Sequence, residues 1–554
     1  MSAALADPPA PKQSPVTRDV LQQTAAKIGV RVPAEKEIEF TEMLASAREA
    51  MEQVLAMDDY YPVPDLEKYP RTEIAPVPAG ENPYNAWATK VVVKNPNKEE
   101  VEAGILAGKR VVLKDNVCLA GVPCHFGTDV FTDWVPHTDA TVVTRTLEAG
   151  GIIIGKATCE SFSAFGISNT SAIGPVGNPY DKTRSAGGSS SGCGVLIAIG
   201  EADLAIGGDQ GGSIRLPASH VGIVGLKPTF GLVPYTGIVS NEVSLDHTGP
   251  MSPDVLSNAL LLRAIAGTDG IDDRQIAGTP SRAHVPDYPA LLAAARGRPG
   301  ALLQVGLPSN ATGSEPGETR KMRVGILREG GMCQAADPRV VECVTHAARK
   351  FEELGAEVVE VSVPGHVQAS LIGRAQRFSQ ANNMLGRASG TRQLYLTDFV
   401  EKVLPWNQGK FDKLFANSAN ILINGIYADE HYPQLHGKTH NLFRKLRSEY
   451  DAVLEDVDII VMPTIPWVPK VMQPREAPLL DHYKDYNGLT FNTLPFNNTG
   501  HPALSIPCGM LSPPEGPEAL RLPIGMQLVG RFWEELTLYK AALAWSDAYN
   551  WKEL

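Results

Sequence analysis

Two clusters of glycine and serine lie close together in the chain, and both are suited to nucleophilic chemistry. The first covers residues 187–192 (GGSSSG) and the second covers residues 211–213 (GGS). Glycine lets backbone N–H groups approach a ligand closely, because it has no side chain and tolerates unusual backbone angles. A serine hydroxyl becomes a nucleophile when a neighbouring group removes its proton. We therefore predict an active site built around the stretch 184–217.

A serine nucleophile needs a base, and the sequence contains two candidates. Asp246 and His247 supply the residue types of a familiar triad, but adjacent residues do not easily form its His–Asp hydrogen bond. Lys114 ends an apolar run, where burial would disfavour its charged form and lower its pKa. A lysine at a strand end also often forms an ion pair, here with Asp115. On local sequence alone, a role for Lys114 in an ion pair is favoured over a role as the base.

Alternating strands and helices must position these residues. Residues 110–113 (RVVL) and 151–155 (GIIIG) have the continuous apolar composition of strands buried on both faces. We predict a helix between these two strands, with Asp139 as its N-cap residue and its end at Gly150.

The same alternation continues through the serine clusters and beyond. We predict a helix over about 191–199, capped by Ser190 and Ser191, and a strand over about 203–206. Further strands are predicted at 323–327, 357–361 and 458–462. This order indicates an α/β domain with a largely parallel or mixed sheet.

The N-terminal part differs in composition from the main body. Residues 1–16 are rich in proline and alanine and are predicted to be a disordered tail. Residues 17–84 comprise a helical region, with apolar side chains at spacings of three and four, and a proline-rich linker from residue 62. We assign packing or homodimer formation to these helices. The main domain is predicted to cover 85–554.

Composition narrows the class of protein. The net charge of the 554 residues is −12 and no dense basic run occurs, which disfavours a nucleic-acid or anionic-membrane partner. No apolar run predicts a transmembrane helix, and residues 1–19 have no apolar signal region. The seven cysteines are scattered, as in reduced cytoplasmic proteins, and Cys118 and Cys124 lack the second pair of ligands that a zinc site needs. We expect a cytoplasmic protein without metal or cofactor.

Three motifs, in this order and spacing, resemble those of the amidase signature family. They are Lys114-Asp115-Asn116, residues 187–192 and residues 208–217 (GDQGGSIRLP). The similarity extends over most of the chain from about residue 85. Within the family, the chain resembles the bacterial and fungal amidase subgroup with a helical N-terminal extension. The resemblance implies a large mixed, twisted sheet covered by helices on both faces.

The family resemblance also implies roles for three residues. Ser213 resembles the nucleophile that attacks an amide carbonyl. Ser189 resembles a bridging serine, joined to Gly188 by a cis peptide bond in the family. Lys114 resembles the base that draws a proton from Ser213 through Ser189, and the same relay would protonate the leaving nitrogen.

The residues around the nucleophile have implied roles as well. The backbone N–H groups of Gln210, Gly211, Gly212 and Ser213 resemble the oxyanion hole of the family. Many members have threonine or isoleucine where this chain has Gln210. Two further side chains, Asp209 and Arg215, are predicted to brace the turn by hydrogen bonds.

Several functions remain open at this stage. The leading hypothesis is hydrolysis of a small-molecule carboxylic amide, and the same machinery could act on a carbamate, an aryl ester or an anilide. A glutaminase subunit of a tRNA-dependent amidotransferase has the same signature. A nitrilase-type enzyme would use Lys156, Cys159 and Glu160. The substrate pocket is predicted to include parts of 120–180 and 240–250 and the variable helical region of about 366–455.

Overall fold

Two helices form the N-terminal unit of the chain, which ends at Pro62. The computed structural model describes residues 16–298, 300–306, 319–376, 378, 381–387, 390, 392–517 and 519–554, so the predicted disordered tail lies almost wholly outside the described residues. The helices are α1 (Arg18–Ala26) and α2 (Glu37–Leu55). Most apolar side chains of α2 are exposed, including Met43 and Leu55.

The second unit, from Val63 to Leu554, contains the strands. Those among the described residues are β1 (Arg71–Ala75), β2 (Trp87–Val93), β3 (Arg110–Lys114), β4 (Ile152–Ala157), β5 (Gly177–Asn178), β6 (Asp181–Ser185), β7 (Leu204–Asp209), β8 (Val224–Lys227), β9 (His247–Ser252), β10 (Gln304–Gly306), β11 (Thr319–Lys321), β12 (Arg323–Leu327), β13 (Glu357–Val361), β14 (Ile459–Pro463), β15 (Ala503–Leu511) and β16 (Leu522–Val529).

The helices of this unit alternate with the strands or follow them in groups. They are α3 (Lys98–Ala103), α4 (Thr141–Glu148), α5 (Ser191–Ala198), α6 (Arg215–Val221), α7 (Val255–Ile265), α8 (Tyr288–Arg296), α9 (Pro338–Glu353), α10 (Gly365–Gln376), α11 (Thr397–Val403), α12 (Gln408–Phe411), α13 (Ala416–His431), α14 (Leu435–Asp456), α15 (Leu479–Tyr486), α16 (Leu494–Thr499) and α17 (Glu535–Ala548). None of these described helices combines the length and the apolar composition needed to cross a bilayer.

Twelve of the described strands form one mixed sheet. Their order is β1-β2-β4-β3-β7-β9-β8-β15-β16-β14-β12-β13. The parallel pairs are β3 with β4, β3 with β7, β12 with β13 and β12 with β14, whereas the remaining neighbours run antiparallel. The predicted α/β class with a mixed sheet is therefore confirmed.

Helices cover both faces of this sheet. Successive residues of a strand point to opposite faces. Val111 and Leu113 of β3 pack in one apolar cluster with residues of α4, α7 and α17, whereas Val112 packs in another with residues of α5 and α6. The serine clusters lie at the start of α5 and just before α6, so they belong to the second face.

Two local predictions differ from the structure. The N-cap residue of α4 is Ala140, and Asp139 instead accepts a hydrogen bond from the Ala120 N–H and forms an ion pair with Arg71. The predicted linker contains β1, which pairs with β2 at the edge of the sheet. Four of the five residues of β1 are exposed, so this strand lacks the apolar pattern by which a sequence reveals one.

Candidate active site

Lys114 ends strand β3, and its side chain is completely buried. The neighbouring strand β7 runs parallel to β3, so the carboxyl ends of both strands lie at the same edge of the sheet. Burial lowers the pKa of Lys114, and the nearby cysteines and the carboxylate of Asp209 oppose this shift only in part. The predicted competing ion pair does not form, because Asp115 lies 3.3 Å from Lys156 Nζ instead.

Ser189 is the direct partner of this lysine. Lys114 Nζ donates a hydrogen bond of 2.8 Å to Ser189 Oγ and another of 3.0 Å to the Gly208 carbonyl. The hydroxyl of Ser189 in turn donates to the Ser163 carbonyl at 2.9 Å. The peptide bond between Gly188 and Ser189 is cis. The lysine and the serine are therefore in contact within a fully buried site.

Ser213 lies in the turn between β7 and α6, and 6% of its surface is exposed. The Ser190 N–H donates to the Ser213 carbonyl at 3.2 Å, which joins the two glycine–serine clusters directly. The Ser213 hydroxyl has no hydrogen-bond partner among the described residues, so it is free to react. The exposed side of the turn is at Gly211, which is only partly buried.

The backbone of this turn presents donors that nothing in the described chain accepts. The N–H groups of Gln210, Gly211 and Ser213 have no acceptor among the described residues. The Gly212 N–H differs, because it donates to Asp209 Oδ1 at 2.6 Å. Three of the four predicted oxyanion donors are thus open to a ligand, whereas the fourth is engaged. Such a group of donors next to a serine is suited to stabilise a developing oxyanion.

Buried charges fix the shape of the turn. Arg215 donates to both carboxylate oxygens of Asp209 at 3.0 Å, and its other N–H groups reach the Thr493 carbonyl and the side chains of Asn497 and Gln527. Burial alone would raise the pKa of Asp209, but the charge and hydrogen bonds of Arg215 outweigh it and hold the pKa below its usual value. The bracing role predicted for Asp209 and Arg215 agrees with these contacts.

The two serines after Ser189 do not cap helix α5 with their side chains. Ser190 Oγ accepts from the Gly208 N–H at 3.2 Å and donates to the Gly208 carbonyl at 3.1 Å. Ser191 Oγ donates to Glu160 Oε1 at 2.7 Å. Ser190 does occupy the N-cap position of α5, but its side chain makes no capping hydrogen bond. Both hydroxyls find buried partners on neighbouring segments, which a local pattern does not reveal.

The histidine candidate does not form a catalytic pair with its neighbour. His247 Nδ1 donates to the Leu245 carbonyl at 2.8 Å, and its Nε2 has no partner within the described chain. The Asp246 carboxylate accepts from Ser240 Oγ and from the Asn241 N–H. Burial lowers the pKa of His247 well below its usual value. The hydrogen bond that a serine-protease-like base needs is therefore not made here.

The contacts of Glu160 and the pKa of Cys159 argue against the nitrilase-type alternative. Glu160 accepts hydrogen bonds from Thr170 and Ser191, and burial raises its pKa to about 7. Burial raises the pKa of the Cys159 thiol far above its usual value, so the thiolate that a cysteine nucleophile requires is disfavoured.

Several residues of the site escaped sequence reasoning. The Ser163 carbonyl reaches Ser189 because Phe162 and Ser163 both adopt positive φ angles, of 50° and 52°. Tyr235 Oη accepts from Gln210 Nε2 at 3.1 Å, and Thr493 Oγ1 donates to the Gly211 carbonyl at 2.6 Å. No sequence signal marks a backbone carbonyl, and the other two partners are remote in the chain.

Sequence comparisons with known proteins identify one family. A sequence model of the amidase family matches residues 83–539. The chain is 34% identical over 499 residues to an enantioselective amidase of Rhodococcus rhodochrous, covering 87% of each chain. It is 31% identical over 455 residues to a glutamyl-tRNA(Gln) amidotransferase component of a Cyanothece species, covering 82% of this chain and 86% of that protein.

A solved structure shows the same fold. The native peptide amidase of Stenotrophomonas maltophilia superposes with a TM-score of 0.62 at 27% sequence identity. The match covers 80% of this chain and 83% of the peptide amidase.

Proposed function

The chain belongs to the amidase signature family and is an amide-hydrolysing enzyme, and from this premise we propose that it cleaves small carboxylic amides through an acyl-enzyme on Ser213. The products would be a carboxylic acid and ammonia or an amine. The observation that carries the proposal is the 2.8 Å hydrogen bond between Lys114 Nζ and Ser189 Oγ, close to a turn that presents a free serine hydroxyl and free N–H donors.

Acylation begins with the transfer of a proton. Neutral Lys114 takes the hydroxyl proton of Ser189, which takes that of Ser213, and the Ser213 oxygen attacks the amide carbonyl. The N–H groups of Gln210, Gly211 and Ser213 stabilise the oxyanion. One such donor typically contributes about 3 kcal/mol to transition-state stabilisation.

The second half of the reaction reverses the relay. The protonated lysine returns its proton through Ser189 to the departing nitrogen, which matters because an amine anion is a very poor leaving group. Water then attacks the acyl-enzyme, and the relay removes its proton. The ester of Ser213 then breaks and releases the carboxylic acid, and the Ser213 oxygen takes the proton back from the relay, which restores the neutral lysine.

We expect hydroxylamine to trap this intermediate. Hydroxylamine competes with water for an acyl-enzyme, so a hydroxamate should form beside the acid. An amide and an ester with the same acyl group should give the same ratio of hydroxamate to acid, because both pass through one acyl-Ser213. The ratio is measured by chromatography at fixed hydroxylamine, with an enzyme-free control. Different ratios for the two substrates would contradict the shared intermediate.

Activity should rise with pH through the pKa of Lys114. Only the neutral amine accepts a proton, and burial lowers this pKa, so the neutral fraction grows at lower pH than it would for an exposed lysine. The same shift means that the unfolded chain binds a proton that the folded chain lacks, so this residue's contribution to stability also increases with pH. The check is a profile of kcat/KM against pH; constant activity down to about pH 4 would contradict the lysine base.

A second candidate function rests on the similarity to the glutamyl-tRNA(Gln) amidotransferase component. A glutaminase of that kind would use the same serines and lysine to release ammonia from glutamine for a tRNA-linked partner. Hydrolysis of simple aliphatic and aryl amides by the purified chain alone, without glutamine preference, would favour the free-standing amidase. A panel of amides, anilides, aryl esters and carbamates, followed by product release, would also identify the acyl group.

Three further assignments remain proposals. The catalytic domain is placed at residues 85–554, and the N-terminal helices are placed at a homodimer interface. A cytoplasmic location is proposed from the scattered reduced cysteines. Size-exclusion chromatography with light scattering, on the full chain and on a chain that begins at Val63, would test the dimer.

A further inference from the structure

Glu242, His436 and His440 form a cluster that the proposed amide chemistry does not use. Glu242 lies in the segment 240–246, and the two histidines lie one turn apart near the start of helix α14. One oxygen or nitrogen atom from each residue lies within 4.8 Å of those of the other two. The centroids of the two imidazole rings are 4.4 Å apart. The fold thus brings together a segment and a helix that are remote from each other in sequence.

The cluster is already organised by hydrogen bonds. Ser244 Oγ donates to Glu242 Oε1 at 3.0 Å and also lies 3.3 Å from His440 Nε2, so one hydroxyl joins the carboxylate to the imidazole. Asn382 Nδ2 donates to the other carboxylate oxygen of Glu242 at 2.8 Å. An outer partner of this kind fixes the orientation of a carboxylate that binds a metal.

The charge of the cluster favours a cation. Glu242 is buried, with 2% of its surface exposed. In the part of the chain that the structure describes, no lysine or arginine forms an ion pair with its carboxylate. A buried carboxylate without a cationic partner is costly, because neutral hydrogen-bond donors replace its lost hydration only in part. A metal ion held together with two imidazoles would supply the missing positive charge.

We propose that Glu242, His436 and His440 bind one divalent transition-metal ion, for which Zn²⁺ is the best match. Two imidazole nitrogens and one carboxylate oxygen are the ligands that zinc accepts, whereas Mg²⁺ and Ca²⁺ prefer oxygen ligands throughout. The ion would join the segment 240–246 to helix α14.

This link would reach the turn that contains Ser213. The Leu245 carbonyl, three residues after Glu242, accepts a hydrogen bond of 3.3 Å from Asn497 Nδ2. The same amide group donates to the carboxylate and the carbonyl of Asp209. The ion would therefore act as a structural clamp on a segment that contacts the bracing network of the turn.

The test is a titration of tag-free, metal-stripped full-length protein with Zn²⁺. Calorimetry should give one site per chain with micromolar or tighter affinity, and the melting temperature should rise with Zn²⁺. Cobalt binding should produce visible absorption without a thiolate-to-metal charge-transfer band, because no cysteine belongs to the cluster. Three variants each remove one proposed ligand: Glu242→Gln, His436→Ala and His440→Ala. Each should weaken Zn²⁺ binding by more than 100-fold. Loss of an outer partner such as Asn382 typically costs only ~10- to 100-fold in metal affinity, and loss of a direct ligand should cost more.

Two controls separate this site from adventitious binding. His284→Ala removes an exposed histidine elsewhere, and Cys343→Ser removes a thiol; both should leave the affinity unchanged. Melting curves in a chelator establish that each variant folds. The proposal would be overturned if Zn²⁺ did not bind at one ion per chain. It would also be overturned if the His440→Ala variant and the Glu242→Gln variant both bound Zn²⁺ with the wild-type affinity. Loss of binding in Cys343→Ser would also overturn it.

Discussion

Ser213→Ala should lower kcat/KM for amide hydrolysis on the order of 10⁶-fold, the scale found when a serine hydrolase loses its nucleophile. The variant keeps the backbone donors and the Lys114–Ser189 pair, but no oxygen remains to form the acyl-enzyme. Since the Ser213 hydroxyl has no hydrogen-bond partner among the described residues, alanine leaves no buried group unpaired and folding should be intact. The measurement is product release, together with a melting curve.

A matched control for this experiment is Cys159→Ala. Cys159 is a buried potential nucleophile from the same region, and its high thiol pKa predicts that its loss leaves hydrolysis near normal. Wild-type turnover in a folded Ser213→Ala variant would exclude Ser213 as the nucleophile. Inactivation of a folded Cys159→Ala variant would reopen the cysteine alternative. Mass spectrometry of a slowly hydrolysed ester should find the acyl group on the peptide that contains Ser213.

The sequence was sufficient to predict the elements that hold the proposed catalytic residues. Apolar runs identify β3 and β7, and the polar residues that follow each run are therefore placed at strand ends. Parallel pairing then puts both ends at one edge of the sheet. Ser189 was identified through the resemblance to the amidase signature family, and the structure places it just before helix α5. The order of the twelve-stranded sheet was not predicted, since strand neighbours such as β8 and β15 are far apart in sequence.

The finer geometry of the turn depends on contacts that no local pattern encodes. Asn497 lies 288 residues from Asp209 in the chain and donates to its carbonyl and its carboxylate. The Gly212 N–H donates to the Asp209 carboxylate because the backbone of the turn brings the two groups together. Ser163 contributes only its carbonyl, through a backbone conformation that sequence does not specify for a serine.

Lys114→Met should lower kcat/KM by about 10²- to 10⁴-fold, the usual contribution of general acid–base catalysis. Methionine has a similar length and is apolar, so it suits a completely buried position and spares the cost of a cavity. Ser213 would remain, but neither its activation nor protonation of the leaving nitrogen would have a proton carrier. Amides should therefore lose more activity than aryl esters, whose leaving groups depart without a proton.

Two further measurements separate a proton carrier from a merely structural lysine. Lys114→Arg keeps the positive charge and the hydrogen-bond donors, but arginine does not lose its proton in proteins, so it should be as inactive as methionine. The residual activity of Lys114→Met should also lose the acidic limb of the pH profile, because the titrating group is gone. A folded Lys114→Met enzyme with the wild-type pH profile would remove Lys114 from the relay. The lysine would then be a buried donor that holds Ser189 in place, and the base would have to be sought elsewhere.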